Sequence, residues 1–389
     1  MRRLAERVGH LTPSTTLAIT AKAKALQAQG VDVCNLGAGE PDFDTPEHIK
    51  QAAQEALARG ETKYGPVAGL PALRDAIAQK TSPQYHAENV LVSAGGKHSL
   101  YNLMMAMIDP GDEVLIPTPY WVSYPEMVKL AGGVPVFVET LESEGFRLTP
   151  EQLEAVITPR TKLLVLNSPS NPTGMVYPPK HLEALAQVII EHDLWVVSDE
   201  IYGALLYDGA IHRSIGSFGP EIFARTLISS GFSKAYSMTG WRIGYLLGPT
   251  QVIQAATAVQ SHSTSNITTF AQFGALAAIT GGDDCIAPML SAFNQRREYL
   301  YQAISRLPGI SCLKPEGAFY LFPNISAMGI GSNQFTMRLL AEAQVAVIPG
   351  DAFGSDQHIR ISYATDLDTL KKSVARMEQF LGVGLASRT

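Results

Sequence analysis

Charged side chains are scarce in this chain of 389 residues. Lys, Arg, Asp and Glu together make up 17% of the sequence, whereas soluble domains average about 25%. The shortage is uneven, because no residue of these four types occurs between Arg242 and Asp283. Gln, Ser, His and Asn interrupt that stretch at short intervals, so it is too polar to span a membrane. We therefore expect it to be buried in protein, in a core or a subunit interface.

Cysteine is also rare, and Cys34, Cys285 and Cys312 lie far apart in the sequence. This spacing predicts neither a disulfide framework nor a metal site, and we expect a reducing, cytoplasmic location. Runs of basic residues are missing as well, and the formal net charge is −6. A mildly acidic chain of this kind is a poor binder of nucleic acid.

The first residues lack the apolar run of an export signal, although Arg2 and Arg3 stand where such a signal begins. Leu4, Val8 and Leu11 instead fall on one helical face. We interpret this segment as a short packing helix.

Short apolar runs begin near residue 90 and alternate with helix-like segments. Uninterrupted apolar runs of this length are typical of strands that helices cover on both faces. They therefore predict an α/β fold with a mostly parallel, seven-stranded sheet covered by helices. The seven runs are residues 90–92, 114–116, 134–138, 163–166, 194–197, 227–228 and 243–247.

The pattern changes near residue 285, where a long helix passes through Arg296 and Arg297. Three short strands and a last helix follow, which predicts a smaller α+β domain. The chain length also favours about two domains. We expect a large domain at 46–284, and a small domain that combines 1–45 with 285–389. The three short strands are predicted near 319–321, 345–348 and 359–362.

The segment from Ser229 to Tyr245 carries the most information about chemistry. Lys234 follows an apolar strand and lies in a loop of small residues, where a sheet of this type opens onto a cleft. A lone lysine in a loop is more often simply solvated. With Arg242 eight residues further on, the pattern is typical of a lysine that bonds covalently to a carbonyl compound beside a phosphate-binding cation.

Other polar residues follow strands in the same way. Asp199 ends a predicted strand and faces the predicted cleft; a helix cap or an ion pair is the alternative. Asn171 begins an Asn-Pro-Thr-Gly string, which is also compatible with a plain turn. Gly95 and Gly96 stand between a strand and a helix, where backbone N–H groups approach an anion, or where a tight turn needs glycine.

Together these segments resemble the fold-type I pyridoxal-phosphate aminotransferases, of class I and of the bacterial branch with a lysine at the distal-carboxylate position. The resemblance extends from about residue 30 to residue 365 and implies pyridoxal phosphate as the cofactor, bound in the large domain. The residues that it implies as catalytic are Lys234, Asp199 and Tyr202. Cofactor contacts are implied for these three and for Tyr64, Gly95, Gly96, Lys97, Trp121, Asn171, Ser233 and Arg242. Substrate contacts are implied for Gly39, Lys97, Trp121, Asn171 and Arg360.

The resemblance also implies what the individual residues do. Lys234 would hold the cofactor and, once displaced by an amino acid, move the α-proton as base and then acid. Trp121 would stack on the pyridine ring, and Arg360 would bind the α-carboxylate through its two-pronged guanidinium group. Asp199 would keep the pyridine nitrogen protonated, and Tyr202 would hydrogen-bond the phenolic oxygen. Tyr64 would reach the phosphate of the neighbouring subunit, which implies a homodimer with shared active sites.

Substrate choice is implied by Lys97. One branch of the family uses an arginine of the neighbouring subunit for a distal carboxylate, at a position that falls inside the uncharged stretch of this chain. Lys97 matches the lysine that replaces it in a second branch. We therefore expect a ping-pong transamination between aspartate or glutamate and a 2-oxo acid. Thr16 together with Lys97 makes a prephenate or aromatic aminotransferase the alternative, and a pyridoxal-phosphate lyase also stays open.

Three rival classes fit less well. A serine hydrolase would need a glycine where Ala235 closes the Gly231–Ala235 string. A dinucleotide-binding oxidoreductase would need a third glycine after Gly37 and Gly39. A regulator built on this fold would need an added DNA-binding segment, and we expect none before the first helix.

Overall fold

The structure is a computed structural model that describes residues 5–9, 11–12 and 15–386. A short helix is present at Glu6–Gly9, as the sequence predicts. Val8 is 51% exposed in the single chain, so the predicted packing of this side chain stays a prediction. Leu4, which shares the predicted face, lies outside the described residues. No helix in the described ranges is long and apolar enough to cross a membrane.

A seven-stranded sheet forms the centre of the larger part, with the order β2-β8-β7-β6-β5-β3-β4. Strand β8 runs antiparallel to both of its neighbours, and the other pairs are parallel. All seven predicted apolar runs form its strands, so the predicted mostly parallel sheet is confirmed. The strands of the described chain are β1 Cys34–Asn35, β2 Val90–Ser93, β3 Glu113–Thr118, β4 Val134–Glu139, β5 Thr161–Asn167, β6 Trp195–Asp199, β7 Thr226–Gly231, β8 Gly244–Leu247, β9 Tyr320–Leu321, β10 Val345–Ala346, β11 Ile348–Pro349 and β12 Ile359–Ser362.

Helices cover both faces of this sheet because successive strand residues point to opposite sides. Val165 and Val197 pack on one side, in a buried apolar cluster with side chains from α5 and α10. Leu164 and Val196, one residue earlier in each strand, pack on the other side against α7 and α8. The helices are α1 Glu6–Gly9, α2 Thr15–Ala28, α3 Glu47–Ala58, α4 Pro71–Thr81, α5 Gly96–Met107, α6 Tyr124–Ala131, α7 Pro150–Glu154, α8 Pro179–Glu191, α9 Pro220–Phe223, α10 Thr250–Ser261, α11 Thr269–Thr280, α12 Ala287–Ile304, α13 Ser332–Ala343 and α14 Leu367–Ala386.

The carboxyl ends of the central parallel strands bring polar residues side by side. Asn167 at the end of β5 is the register partner of Asp199 at the end of β6. Asp199 in turn pairs with Ser229 of β7, two residues before that strand ends. Ligands of open α/β sheets bind outside this edge, and Lys234 follows it directly in the chain.

The C-terminal part has its own small sheets. Strands β11, β12 and β9 form an antiparallel sheet, and β1 pairs in parallel with β10. The predicted long helix is α12, and the short strands predicted near 319–321 and 359–362 are present as β9 and β12. The one predicted near 345–348 is instead two strands, β10 and β11, which belong to different sheets. One buried apolar cluster contains Val92 and Leu247 of the large sheet together with Phe293 and Ile361. The domain boundaries at residues 45 and 284 stay a prediction.

The uncharged stretch contains β8, α10 and α11, and it is only partly buried in the single chain. Its inward side chains include Gln260 and Gln272, which are both fully buried. The turn at 262–265 is exposed in the single chain, so its predicted burial in a core or a subunit interface stays a prediction. Thr269 Oγ1 donates to the Lys63 carbonyl at 2.8 Å, and Gln272 Oε1 accepts from the Leu70 amide at 2.8 Å. The stretch therefore lies against the segment that carries Tyr64.

Candidate active site

A cavity of about 470 Å³ opens where β5, β6 and β7 end. Most of the residues that the sequence singles out line it, although they are scattered over more than 300 positions. Those residues are Thr16, Gly39, Gly96, Lys97, Trp121, Asn171, Asp199, Tyr202, Ser233, Lys234, Arg242 and Arg360. The cavity is thus bordered by the carboxyl edge of the large sheet, by the segment that precedes α3, and by strand β12.

Lys234 reaches into this cavity from the loop after β7. Its Nζ donates to the carbonyl oxygen of Gly39 at 2.5 Å and lies 5.9 Å from the centre of the Tyr202 ring. Burial, and next the positive charge of Arg360, lower the pKa of this amine to about 8. A lysine of this kind is much closer to its neutral, nucleophilic form at neutral pH than a solvated one.

Asp199 is a buried carboxylate that Tyr124 holds in place. The Tyr124 hydroxyl, at the start of α6, donates to Asp199 Oδ2 at 2.7 Å, and the Ile201 amide donates to Oδ1 at 3.2 Å. Burial raises the pKa of Asp199 to about 6, and the hydrogen bond from Tyr124 opposes that rise. The carboxylate is therefore ionised near neutral pH and has a fixed orientation.

A second region of the cavity is built for an anion. Gly95 has a φ of 86° and precedes the first residue of α5, so the helix begins with free N–H groups pointing outward. Arg242 lies beside it, because a Cβ added to Gly95 would fall 2.6 Å from Arg242 Nη2. The Ser229 hydroxyl is buried without a hydrogen-bond partner in the described chain. It lies 3.8 Å from the place of a Cβ on Gly96.

Arg360 is the buried cation of β12. It is 2% exposed, and its two terminal nitrogens donate to Asn171 Oδ1 and to the Gly37 carbonyl, each at 2.9 Å. The Tyr320 ring lies beneath it, 4.4 Å from the guanidinium carbon. Its Nε is buried with no partner among the described residues. The guanidinium group is thus fixed in place with bonding capacity left for a carboxylate.

Tyr202 meets Tyr320 rather than a charged group. The two hydroxyls are 2.8 Å apart, and both side chains are buried. Burial raises the pKa of the Tyr202 hydroxyl well above its usual value, so the group stays protonated and can donate a hydrogen bond. This arrangement is compatible with the predicted contact to a phenolic oxygen, which stays a prediction.

Lys97 extends over Trp121 at the rim of the cavity. Its Nζ lies 4.9 Å from the centre of the indole ring, a distance typical of a cation–π contact. Loss of hydration, and next the positive charge of Arg242, lower the pKa of Lys97. Among the described residues no carboxylate lies within salt-bridge distance of it, so its charge is available to a ligand.

Two predicted residues do not line the cavity. Gly95 lies just behind it, where it allows Arg242 to approach. Tyr64 is 92% exposed and lies away from the cavity of its own chain. A residue that serves the neighbouring subunit is expected to be exposed in a single chain, and this role also stays a prediction.

Several residues of the cavity were missed by the sequence analysis. Tyr124 and Tyr320 are buried tyrosines whose hydroxyls bond to predicted site residues. Glu40 accepts from Thr239 Oγ1 at 3.0 Å and raises the pKa of Lys234 against the stronger effect of burial. Tyr124 follows Trp121 by three residues, one helical turn, and this spacing was the available signal.

These groups match the parts of pyridoxal phosphate one by one. The start of α5 with Arg242 and the unpaired Ser229 hydroxyl suits its phosphate. The buried carboxylate of Asp199 suits a protonated pyridine nitrogen, because an ionised buried acid needs a positive partner. Lys234, with its lowered pKa, suits the aldehyde carbon.

Comparison with known families agrees with this site. Residues 31–377 match the family described as aminotransferase class I and II. The chain belongs to this family of pyridoxal-phosphate enzymes.

Individual relatives extend over nearly the whole chain. The aspartate aminotransferase of Geobacillus stearothermophilus is 53% identical, over 97% of this chain and 99% of the relative. The aspartate/prephenate aminotransferase of Thermus thermophilus is 49% identical, over 98% of this chain and 100% of the relative. The solved structure of aspartate aminotransferase from Thermus thermophilus with maleate superposes with a TM-score of 0.94 at 48% identity, covering 97% of this chain and 100% of that one.

Proposed function

We propose that this enzyme moves an amino group between aspartate or glutamate and a 2-oxo acid in a ping-pong reaction. One observation carries the substrate class: Arg360 and Lys97 line the same cavity as Lys234, and Lys97 has no described carboxylate partner. Two cations beside a reactive amine suit a substrate with two carboxylates. The printed names of the relatives, aspartate aminotransferase and aspartate/prephenate aminotransferase, agree with this choice.

Pyridoxal phosphate, when bound, supplies an electron sink for the carbanion that forms when the α-proton leaves. The protein supplies charge and position. Lys234 is the base that accepts the α-proton and the acid that returns it, because its pKa near 8 allows both states near neutral pH. Asp199 keeps the ring nitrogen positive. Arg360 orients the substrate through its α-carboxylate, while Asn171 holds the guanidinium group.

Replacing Lys97 by alanine should weaken selection for dicarboxylic substrates. We expect kcat/KM for aspartate to fall about 30-fold, because removing one partner of a close charge pair costs about 2 kcal/mol or more. A donor without a distal carboxylate, such as phenylalanine, should change less than threefold. Steady-state kinetics of both donors against 2-oxoglutarate measure the difference.

The conservative variant Lys97→Arg serves as the matched control, since it keeps the charge at the same position. If Lys97→Ala left the turnover of both aspartate and phenylalanine unchanged, the proposal that Lys97 binds the substrate would be wrong.

Prephenate is the second candidate substrate. Thr16 and Lys97 line the cavity together, and one relative is named an aspartate/prephenate aminotransferase. A panel of amino donors with prephenate as acceptor decides between the two functions. Turnover of prephenate that competes with 2-oxoglutarate would support a dual activity, and its absence would leave the dicarboxylic function alone.

We further propose a homodimer with shared active sites. Tyr64 is 92% exposed, and the uncharged turn at 262–265 is exposed close to its segment. An exposed region without charge is typical of a subunit interface. Sedimentation velocity should give a mass near twice 41.9 kDa; a single-chain mass in the presence of cofactor would contradict the dimer.

A cytoplasmic location is the remaining proposal. It is supported by the three free thiols of Cys34, Cys285 and Cys312, since disulfides are rare in reducing compartments. Recovery of the protein in an oxidising compartment on cell fractionation would contradict it.

A further inference from the structure

One face of helix α2 forms a wall of the cavity. Thr16, Thr20 and Lys24 all line it, and their spacing of four residues places them on the same side of the helix, about 6 Å apart per step. Lys24 is the last of the three and is exposed, so it stands where the cavity opens to solvent. No motif in the sequence marks Lys24.

The cavity has more positive than negative side chains. Five of the residues that line it are basic and two are acidic. Under the proposed function, Arg242 faces the phosphate, Arg360 the α-carboxylate and Lys97 the distal carboxylate of aspartate. An aspartate substrate then has no further carboxylate that could pair with Lys24. The five basic residues are Lys24, Lys97, Lys234, Arg242 and Arg360, and the two acidic ones are Glu40 and Asp199.

Lys24 also lacks a described partner inside the protein. No salt bridge joins it to a carboxylate of the described chain, whereas Lys372 and Arg376 pair with Asp32 not far beyond α2. A lysine that borders a ligand cavity without a neutralising carboxylate raises the local concentration of anions and can bind one directly. Its amine therefore has bonding capacity for a ligand.

Lys97 and Lys24 line the cavity from different helices, α5 and α2. Lys97 is held over Trp121, whose ring packs edge-on against Tyr124 at 5.3 Å, and Tyr124 bonds to Asp199. That chain of contacts connects Lys97 to Asp199 at the carboxyl edge of the sheet. Lys24 instead lies two helical turns beyond Thr16 on α2, outside that chain of contacts.

We propose that Lys24 binds the distal carboxylate of dicarboxylic substrates longer than aspartate, so that α2 selects substrates by the distance between their two carboxylates. This inference rests on the proposed function and names the residue that broadens it to longer amino and 2-oxo diacids. Lys97 then serves four-carbon substrates, and Lys24 contributes as the carbon chain lengthens.

The test measures binding of unreactive diacids to the holoenzyme by titration calorimetry. Succinate, glutarate and adipate carry four, five and six carbons and present two carboxylates without an amine. We expect Lys24→Gln to weaken adipate about fivefold and succinate less than twofold, the size of effect typical of a solvent-accessible ion pair. Lys24→Arg should restore the affinity for adipate.

Lys22→Gln is the matched control, because Lys22 lies on the same helix, is exposed and does not line the cavity. It removes the same charge and should leave all three affinities unchanged. Kinetics should agree: KM for 2-aminoadipate should rise in Lys24→Gln, while KM for aspartate and both kcat values stay constant.

Equal weakening of all three diacids by Lys24→Gln, or the same change in Lys22→Gln, would show general attraction of anions and overturn the inference. Unchanged adipate binding in Lys24→Gln would overturn it too, while succinate binding and aspartate turnover would still support the proposed function. A holoenzyme that binds no diacid and leaves aspartate unreacted would contradict the proposed function itself.

Discussion

Replacing Lys234 by alanine should lower aspartate transamination by at least about 10⁴-fold, because the variant loses both the covalent attachment of the cofactor and the proton-transfer group. The geometry leaves no substitute nearby. Lys97 is held over Trp121, and Arg242 and Arg360 remain protonated at any ordinary pH. Turnover at saturating cofactor, measured by the formation of oxaloacetate, gives the size of the loss.

Colour is a second and independent measure of the same substitution. The purified parent should be yellow and should bleach when aspartate is added, whereas Lys234→Ala should be colourless after dialysis. Lys180→Ala, at an exposed position on α8, controls for the general loss of a lysine. A yellow Lys234→Ala protein with the absorption of the parent would remove Lys234 from its assigned role.

Replacing Asp199 by alanine should lower kcat by about 10³-fold, since a fixed charge that favours the transition state contributes several kcal/mol. Without the carboxylate the pyridine nitrogen loses its proton at neutral pH, and the ring becomes a poorer electron sink. Asp199→Glu keeps the charge and should recover part of the rate. An Asp199→Ala enzyme with more than a tenth of the parent kcat would contradict this role.

The pH dependence of cofactor binding tests the same carboxylate. Burial raises the pKa of Asp199 to about 6 in the ligand-free protein, so its charge is present above that pH and is lost as the pH falls through it. Affinity of the apoprotein for pyridoxal phosphate should therefore decrease below about pH 6. Tyr124→Phe removes a hydrogen bond that lowers the pKa of Asp199, so the midpoint should move upward. If the pH midpoint of cofactor binding were the same in Tyr124→Phe as in the parent, the Tyr124 hydroxyl would have no effect on the pKa of Asp199, and its role would be packing alone.

The central sheet was predictable because most of its strands are buried on both faces and are therefore uninterrupted apolar runs. The edge strand β4 is also an apolar run, although most of its residues are not buried. The run near residue 243 was recognised as a strand, but its antiparallel direction was not, since a buried run is equally apolar in both directions. Strand β1 has two residues, Cys34 and Asn35, which is too short for any alternation to show. Its existence depends on pairing with β10, which lies more than 300 residues away.

The cavity was predicted best where a residue follows a strand or belongs to a string such as Asn-Pro-Thr-Gly. Tyr124 was not predicted as a site residue because a tyrosine near a tryptophan is also typical of an ordinary hydrophobic core. Lys24 was not predicted because a lysine on a helix is normally a solvated surface residue, and only the packing of α2 against β10 and β11 turns it towards the cavity. Contacts of this kind depend on tertiary packing, which no local pattern contains.

The bond from Arg360 to the Gly37 carbonyl joins residues that are 323 positions apart, and the bond from Lys234 to Gly39 spans 195. Contacts of such long range form late, since the intervening chain must be ordered before they can close. During synthesis, β12 leaves the ribosome after every other strand of the described chain. The predicted cofactor residues all precede it, so the substrate site is expected to be completed last, and chains truncated before β12 should lack the guanidinium group for the α-carboxylate.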